Sequence, residues 1–578
     1  MEKKSEEKVK DLEILRHSAS HILAQAVKRI FPQAKLGIGP PIKNGFYYDF
    51  DIDGELLSRN LERVKEEMEK IVKEDLPFER EVVTKEEAKK IFTQRDEPYK
   101  LELIQEIEDT MVTLYKQGEF VDLCRGPHVK STGEVKFFAL LSIAGAYWKG
   151  REGNPMLSRV YGTAFFTKKE LEEHLKWLEE AKRRDHRKIG RELDIFEIYP
   201  ELGPGLAVYH PRGSLLREII ENFETQEHLK RGYKLVRTPH ISRAELWKIS
   251  GHLDFYRENM YVFSVEGQDY VLKPMNCPAH IMVYKSKQRS YRDLPLRFFE
   301  LGTVYRREGS GMLHGLLRLR GFTQDDAHIF CLPSQLVDEV REILKFIFFM
   351  MDIFHLGYKI TLSTRPAKYI GSPKIWETSI KALEEALRKE DLDFEIAPGE
   401  GAFYGPKIDV QIEDALGRLW QGPTIQVDFN LPERFDLTYV DSDGEKKKVV
   451  MIHRVVLGAI DRFVGILIEH LEGKFPVWLA PVQVKILTIT CKEVPFAREL
   501  YEKMSSEGIR VELDSRNELL GYKVRQAQLE KIPYMVIVGK KEVESGLLTV
   551  RKRDGENLRD ICPENFIQMI KEKIKKKE

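Results

Sequence analysis

Apolar and polar positions along this chain follow several distinct rhythms. In LRHSASHILAQAVKRIF, residues 15–31, apolar side chains recur at helical spacing and predict an amphipathic helix. The next stretch, LGIGPPIKNGFYYDFDI, is broken by glycine and proline and reads as short strands. LERVKEEMEKIVKED reads as a strongly charged helix. KKELEEHLKWLEEAKRRDHRKIGRE has few apolar positions and predicts a long solvated helix between domains. PRGSLLREIIENFETQEHLKRG predicts an amphipathic helix closed by Gly232. From Pro481 the rhythm becomes regular. VQVKILTIT, RVELDS and YMVIVG read as strands, with FARELYEKMSSEG and GYKVRQAQLEKI as helices between them. That βαβαβ order predicts a parallel or mixed sheet with helices packed on it.

Composition narrows the class of protein without choosing a function. The 578 residues correspond to about four domains at roughly 150 residues each. Hydrophobic residues make up 42% and charged residues 32%, a globular profile rather than a disordered one. Lys+Arg and Asp+Glu are both 93, so any nucleic-acid surface must come from local patches. The basic end KEKIKKKE reads first as a solvated helix end. Five scattered cysteines do not form a disulfide framework. The N-terminal MEKKSEEKVKDLE has no apolar segment, and the apolar runs are too short to span a bilayer. The expected location is the cytoplasm.

Two stretches carry candidate chemistry. His17 and His21 stand four residues apart, on one helical face. A metalloprotease H-E-x-x-H would have glutamate where this chain has Ser18, so that reading fits poorly. VDLCRGPHV adds Asp122, Cys124 and His128. Together these residues supply the ligand types of a zinc site, and equally the groups that position water on an ester. Spacing does not separate the two, and a packed cysteine with capping histidines is the bland alternative. The second stretch is RFFELGTVYRREGSGMLHGLLRLRGFTQDDAHIF. It predicts a strand carrying Arg306 and Glu308 on one face, a turn at Gly309 and Gly311, and a second basic strand with Arg318 and Arg320. Arginine forks in such a hairpin suit a nucleotide's phosphates. No P-loop or Rossmann glycine motif is present.

This stretch resembles motif 2 of the class II aminoacyl-tRNA synthetases. GYKLVRTPHISRAELW, with Pro239, resembles motif 1, and HRVVLGAIDRFVGILIEH, with Arg462, resembles motif 3. KPMNCPAHI, RGFTQDDAHIFC, AFYGPKIDV and QGPTIQVDF resemble the threonyl enzymes. The resemblance spans nearly the whole chain. It implies an α+β multidomain protein with an N-terminal α/β editing domain (1–167) and a linker helix (168–193). A class II catalytic domain built on an antiparallel sheet (194–479) and an α/β anticodon-binding domain (480–578) would follow.

The resemblance also implies roles. Cys277, His328 and His453 match zinc ligands that leave one position open for the amino and hydroxyl groups of threonine. Reading the hydroxyl rejects valine far better than an apolar pocket could. Met275, Gln324, Asp326, Tyr404 and Gln426 match threonine-pocket positions. Arg306, Glu308, Arg318, Phe322, Gln421, Thr424 and Arg462 match ATP positions, with Mg²⁺ accompanying ATP. Lys407 and His252 match catalytic positions, and His252 suits transfer to the tRNA ribose as an imidazole near neutral pH. His17, His21, Cys124 and His128 match a metal-free editing site for serine, with Asp122, Lys100 and Tyr48 beside them. The implied partners are tRNA, ATP, threonine and a second copy of the chain.

Two departures stand out. The usual bacterial form carries a small domain ahead of the editing domain; with only about ten charged residues before the editing helix here, that domain is expected to be absent. Ala459 replaces a serine common in motif 3, which removes one possible hydrogen bond in the adenosine pocket and implies an effect on binding of about 1 kcal/mol. A non-catalytic relative would be free to lose Arg306, Arg462 or a zinc ligand. A class II enzyme for another amino acid would not need the Cys277, His328 and His453 set. A metal hydrolase built on HSASH would leave most of the chain idle.

Overall fold

The computed structural model describes residues 2–151 and 153–578. The chain divides into two compact units, Met1–Glu180 and Ala181–Glu578. In the first, the opening helix runs from Glu2 to Ile30, well ahead of the expected start at Leu15. The residues before Leu15 are mostly lysine and glutamate, good helix formers with no breaker among them. Leu15, Ala19, Ile22, Leu23, Ala26 and Val27 form its buried stripe. They share a core with Phe46, Tyr48 and Phe50 of strand Gly45–Asp51 and with Val64, Met68 and Ile71 of helix Leu61–Glu74. Gly45–Asp51 pairs antiparallel with Met156–Phe165, which pairs with Phe137–Tyr147. A separate antiparallel sheet joins Glu79–Thr84, Met111–Gln117 and Phe120–Leu123.

The polar run expected as one helix is two. Lys168–Arg184 has no fully buried residue, and His186–Glu192 follows a break at Asp185. The Asp185 carboxylate accepts the Arg187 backbone N–H and so caps the second helix.

The second unit is built on an eight-stranded, mostly antiparallel sheet. Its middle strands lie in the order Leu296–Tyr305, Gly321–Cys331, Val450–Val455, Leu419–Asp428, Lys407–Glu413 and Gly357–Ser363. Side chains alternate between the two faces of each strand. Ala327, Ile329, Ile452, Ile425, Val427, Ile408 and Val410 form one face. They pack on helices Pro211–Lys230, Leu336–Ile353 and Ile460–Leu471 through Leu216, Ile220, Val340, Ile343, Phe463 and Val464. The intervening positions, including Gln324, Asp326, His328, His453, Thr424 and Gln426, present a polar face.

The last part of the chain forms a five-stranded mixed sheet. Val484–Thr488 is flanked by parallel Val511–Asp514 and Tyr534–Val538, and two antiparallel strands complete it. Ile486 and Val536 pack towards helices Val494–Ser506 and Pro563–Lys576. Leu487 and Met535 pack towards helix Leu520–Leu529 on the other face. Burial on both faces is the usual condition of parallel strands.

Candidate functional site

In the first unit, helix Glu2–Ile30 carries His17 and His21 to the loop that follows strand Phe120–Leu123. Cys124 Sγ lies 3.2 Å from His17 Nε2 and 3.3 Å from His128 Nε2. The His21 and His128 ring centres are 4.2 Å apart. Ser18, where a protease would have glutamate, puts its Oγ 3.1 Å from His128 Nδ1 and accepts the Val129 N–H at 3.0 Å. Behind them Asp122 is bound by Lys100 Nζ at 2.5 Å and the Tyr48 hydroxyl at 2.6 Å. Lys100 also donates to Tyr48 at 3.0 Å. Burial pushes the Cys124 thiol up to about 12. It pushes His17, His21 and His128 below the usual imidazole range. Near pH 7 the cluster therefore holds a thiol and neutral imidazoles. Among the described residues His21 Nδ1, which is buried, has no hydrogen-bond partner, leaving a polar atom for a substrate or water.

In the second unit, the polar face of the large sheet floors a cavity of about 330 Å³. Cross-strand register assembles one end of it. His328 pairs directly with His453, and His453 with Gln426. Cys277 comes from the first turn of helix Cys277–Lys285, and burial raises its thiol well above the usual range. A helix N-terminus and a bound cation both favour the thiolate. The ligand atoms of Cys277, His328 and His453 lie within 4.8 Å of one another.

Their partners orient them. Glu300 Oε2 lies 3.0 Å from His280 Nε2, and His280 Nδ1 lies 2.8 Å from His328 Nδ1. A carboxylate only accepts, so the proton on His280 sits at Nε2 and that on His328 at Nδ1. His328 Nε2 is left with a lone pair facing the cluster. Asp428 Oδ2, 2.9 Å from His453 Nε2, likewise leaves His453 Nδ1 free. Asp428 is itself fixed by the Asn430 and Leu431 N–H groups. Carboxylate-backed imidazoles of this kind typify metal ligands, so the donor set fits a zinc ion.

Asp326 accepts from Asn276 Nδ2 at 2.9 Å, and Tyr404 donates to Gln426. Arg306 and Arg462 line the same cavity. The Arg306 guanidinium lies over the Phe322 ring, 5.2 Å from its centre. Arg462 Nε donates to Leu317 O at 2.9 Å and Nη1 to Gln421 O at 3.2 Å. Burial, then repulsion by Arg306 and Arg318, lowers the Arg462 guanidinium from its ordinary value. Crowded cations of this kind suit a polyanion.

The cavity is lined by Met275, Cys277, Arg306, Phe322, Gln324, Asp326, His328, Tyr404, Gln421, Thr424, Gln426, His453 and Arg462, all singled out in the sequence. Other candidates stand around it. Glu308 grips Arg318 at 2.9 Å. Lys407 pairs with Asp409 at 2.7 Å, and Asp409 also accepts from Thr424. His252 is fully buried, with Nε2 3.1 Å from Met275 Sδ. Burial holds its imidazole near 3, so it is neutral throughout the physiological range rather than poised to titrate.

The expected hairpin also differs. The first strand ends at Tyr305, so Arg306 and Glu308 lie on the turn beyond it, where the Arg307 N–H turns away to Asn259 O. The second strand starts at Gly321, leaving Arg318 and Arg320 on the approach. His280, Glu300 and Asp428 escaped the sequence reading. For His280 a signal existed, since it lies three residues after Cys277 on the same helix.

Residues 261–471 match the family described as tRNA synthetase class II core domain (G, H, P, S and T). Residues 479–573 match the Anticodon binding domain, and residues 112–161 the Threonyl and Alanyl tRNA synthetase second additional domain. Fold and site together define a class II aminoacyl-tRNA synthetase. The threonine–tRNA ligase of Citrifermentans bemidjiense is 57% identical over 564 residues, 98% of this chain and 89% of that protein. That of Thermotoga neapolitana is 53% identical over 566 residues, 97% of this chain and 88% of that protein. The crystal structure of the RNA binding domain of threonyl-tRNA synthetase from Cryptosporidium parvum Iowa II aligns with a TM-score of 0.66 at 38% identity. It covers 67% of this chain and 98% of that one. The chain belongs to the threonine–tRNA ligase family.

Proposed function

We propose that the second unit activates threonine with ATP and transfers it to the 3′-end of its tRNA, and that the first unit hydrolyses tRNA wrongly charged with serine. One observation carries the reading: a backed Cys277, His328 and His453 set shares a single cavity with Arg306 and Arg462. The arginines hold the ATP phosphates, with Mg²⁺, as a threonine carboxylate oxygen attacks the α-phosphorus and pyrophosphate leaves. Phe322, Gln421 and Thr424 line the adenosine end, and Glu308 orients Arg318. Met275, Gln324, Asp326, Tyr404 and Gln426 enclose the amino acid. When bound, a zinc ion on Cys277, His328 and His453 supplies a Lewis acid for the amino and hydroxyl groups of threonine. A ribose hydroxyl then attacks the acyl carbonyl and AMP departs. Neutral His252 positions Met275 here, and Lys407 acts through Asp409 and Thr424.

Serine keeps the hydroxyl and is smaller, so the activation pocket admits it and a second sieve is needed. His17, His21 and His128 hold water against the ester carbonyl, with Cys124 as a hydrogen-bonding thiol and the Lys100–Asp122–Tyr48 group supporting them. The C-O bond to the ribose breaks and the ribose oxygen takes the proton. We place the enzyme in the cytoplasm as a homodimer. Five free thiols support the location, and no described helix is long and apolar enough to cross a membrane. Exposed Leu229, Leu235, Ile241 and Ile249 around the motif 1 stretch support the dimer.

The test is amino-acid-dependent exchange of pyrophosphate into ATP. Strong exchange with threonine, less with serine and little with valine is expected. Cys277→Ser should release zinc and erase the threonine preference over valine. Valine exchange equal to threonine in the parent enzyme would overturn the hydroxyl-reading pocket.

A further inference from the structure

His186 lies in the polar run expected to be solvated, yet it is fully buried and both ring nitrogens are engaged. It opens helix His186–Glu192, and its backbone N–H donates to Glu469 Oε1 at 3.0 Å. Its Nδ1 lies 2.6 Å from the same oxygen. The carboxylate only accepts, so Nδ1 carries the proton and Nε2 is an acceptor. Nε2 receives the Leu316 backbone N–H at 3.0 Å. One residue further on, the Leu317 carbonyl receives Arg462 Nε at 2.9 Å.

Arg462 and Glu469 belong to one helix, Ile460–Leu471, so the bonds close into a ring. The ring runs from Glu469 through His186 and the Leu316–Leu317 peptides to Arg462, and back along the helix. The Glu469 end is anchored further, because Arg418 pairs with its carboxylate and Arg184 donates to the His470 carbonyl at 3.1 Å. Among the described residues, the hydrogen bonds at the Arg462 end go to the Leu317 and Gln421 carbonyls. Gly315 has φ +48°, and a Cβ there would stand 2.1 Å from His186 Nε2, so the turn is shaped around the imidazole.

We propose that His186 is a positioning residue for the activation step, fixing the Gly315–Leu317 turn and, through the Leu317 carbonyl, the direction of the Arg462 guanidinium. This rests on reading Arg462 as a ligand of the ATP phosphates. A histidine that merely tied two core elements together would change stability and leave substrate affinities alone.

Two variants separate the bonds. His186→Asn puts an amide nitrogen near the Nδ1 position and keeps the Glu469 link while losing Leu316. His186→Gln puts a carbonyl near the Nε2 position and keeps the Leu316 link. In pyrophosphate exchange, His186→Asn should raise the ATP KM about tenfold or more, with the threonine KM near that of the parent, while the unpaired Leu316 N–H lowers the urea midpoint. His186→Gln should recover most of that loss. In an Arg462→Ala background, His186→Asn should add nothing to the ATP defect, because residues acting as a unit are not additive. Should His186→Asn fail to fold, Gly315→Ala presses the same turn from its other side and should give the same ATP-selective defect.

An unchanged ATP KM in the folded variant, beside a clear Arg462→Ala defect, would overturn the positioning role alone. So would an equal fall in both His186 variants that tracks lost stability. An Arg462→Ala enzyme with normal ATP kinetics would overturn the phosphate reading and the positioning role with it.

Discussion

At Cys124, burial works against the chemistry for which a reactive cysteine is usually kept. A thiol pushed up to about 12 is protonated at pH 7, and the depressed histidines beside it are neutral. Such a centre offers lone pairs and hydrogen bonds rather than a thiolate. Cys124→Ala should therefore slow seryl-tRNA hydrolysis only modestly, by less than about tenfold. His21→Ala, which removes an unpartnered buried nitrogen, should slow it by about a hundredfold, typical of a lost acid–base group. Single-turnover ester cleavage measures both. The depressed histidines are already deprotonated above pH 6.5, so the rate should not follow an imidazole or thiolate titration between pH 6.5 and 8. A rise parallel to thiolate formation would restore the nucleophile reading. His17 and His21 were legible because one helix sets their distance. Ser18 was not: the sequence shows it as a missing glutamate, whereas its position places a hydroxyl against His128.

Elements, rather than residues, decided what else could be read. The βαβαβ order of the last hundred residues was visible because strand and helix periods alternate cleanly there. The zinc set was not visible from spacing, since Cys277, His328 and His453 meet only through the pairing of Gly321–Cys331 with Val450–Val455. The family resemblance supplied it. Arg306 and Glu308 were expected on a strand because period-two spacing continues past Tyr305, while the hydrogen bonds that end the ladder come from elsewhere in the chain. Ala459 illustrates an element's end. It sits at the N-cap of helix Ile460–Leu471 with φ −72° and ψ 116° and has no side-chain cap. Ala459→Ser should stabilise the fold by about 1 kcal/mol, read as a higher urea midpoint.

Helix Pro211–Lys230 carries the opposite case. Glu224 is fully buried, with its carboxyl beside that of Asp325. Burial, then Asp325, raises its carboxyl well above the usual range. The folded state thus binds a proton that the unfolded state releases near pH 4.3, so Glu224 costs stability increasingly as pH rises beyond that value. Glu224→Gln, neutral at every pH, should match the parent near pH 4.5 and exceed it at pH 8 in urea unfolding. Equal midpoints at pH 8 would mean the carboxyl is not held protonated.

Over the whole molecule, length suggested about four domains, and the chain forms two compact units. The C-terminal mixed sheet counts with the catalytic core because packing, rather than motif content, defines a unit. The proposed homodimer predicts a solution mass about twice 67.4 kDa by light scattering. Elemental analysis should find one zinc per chain. In the first unit His128 already uses both ring nitrogens on Ser18 and Cys124, whereas His328 and His453 each keep one free. Two zincs per chain would mean that both clusters bind metal.

The cross-strand pairing of His328 with His453 also bears on how the protein matures. The ligand loops, of about 50 and about 125 residues, cannot close until the strand carrying His453 has been synthesised and paired, and closing long loops carries an entropic cost. Metal capture is therefore a late event in biogenesis. A ribosome-stalled chain ending before residue 450 should take up no zinc at that cluster, so zinc loading marks a chain whose central sheet has been assembled.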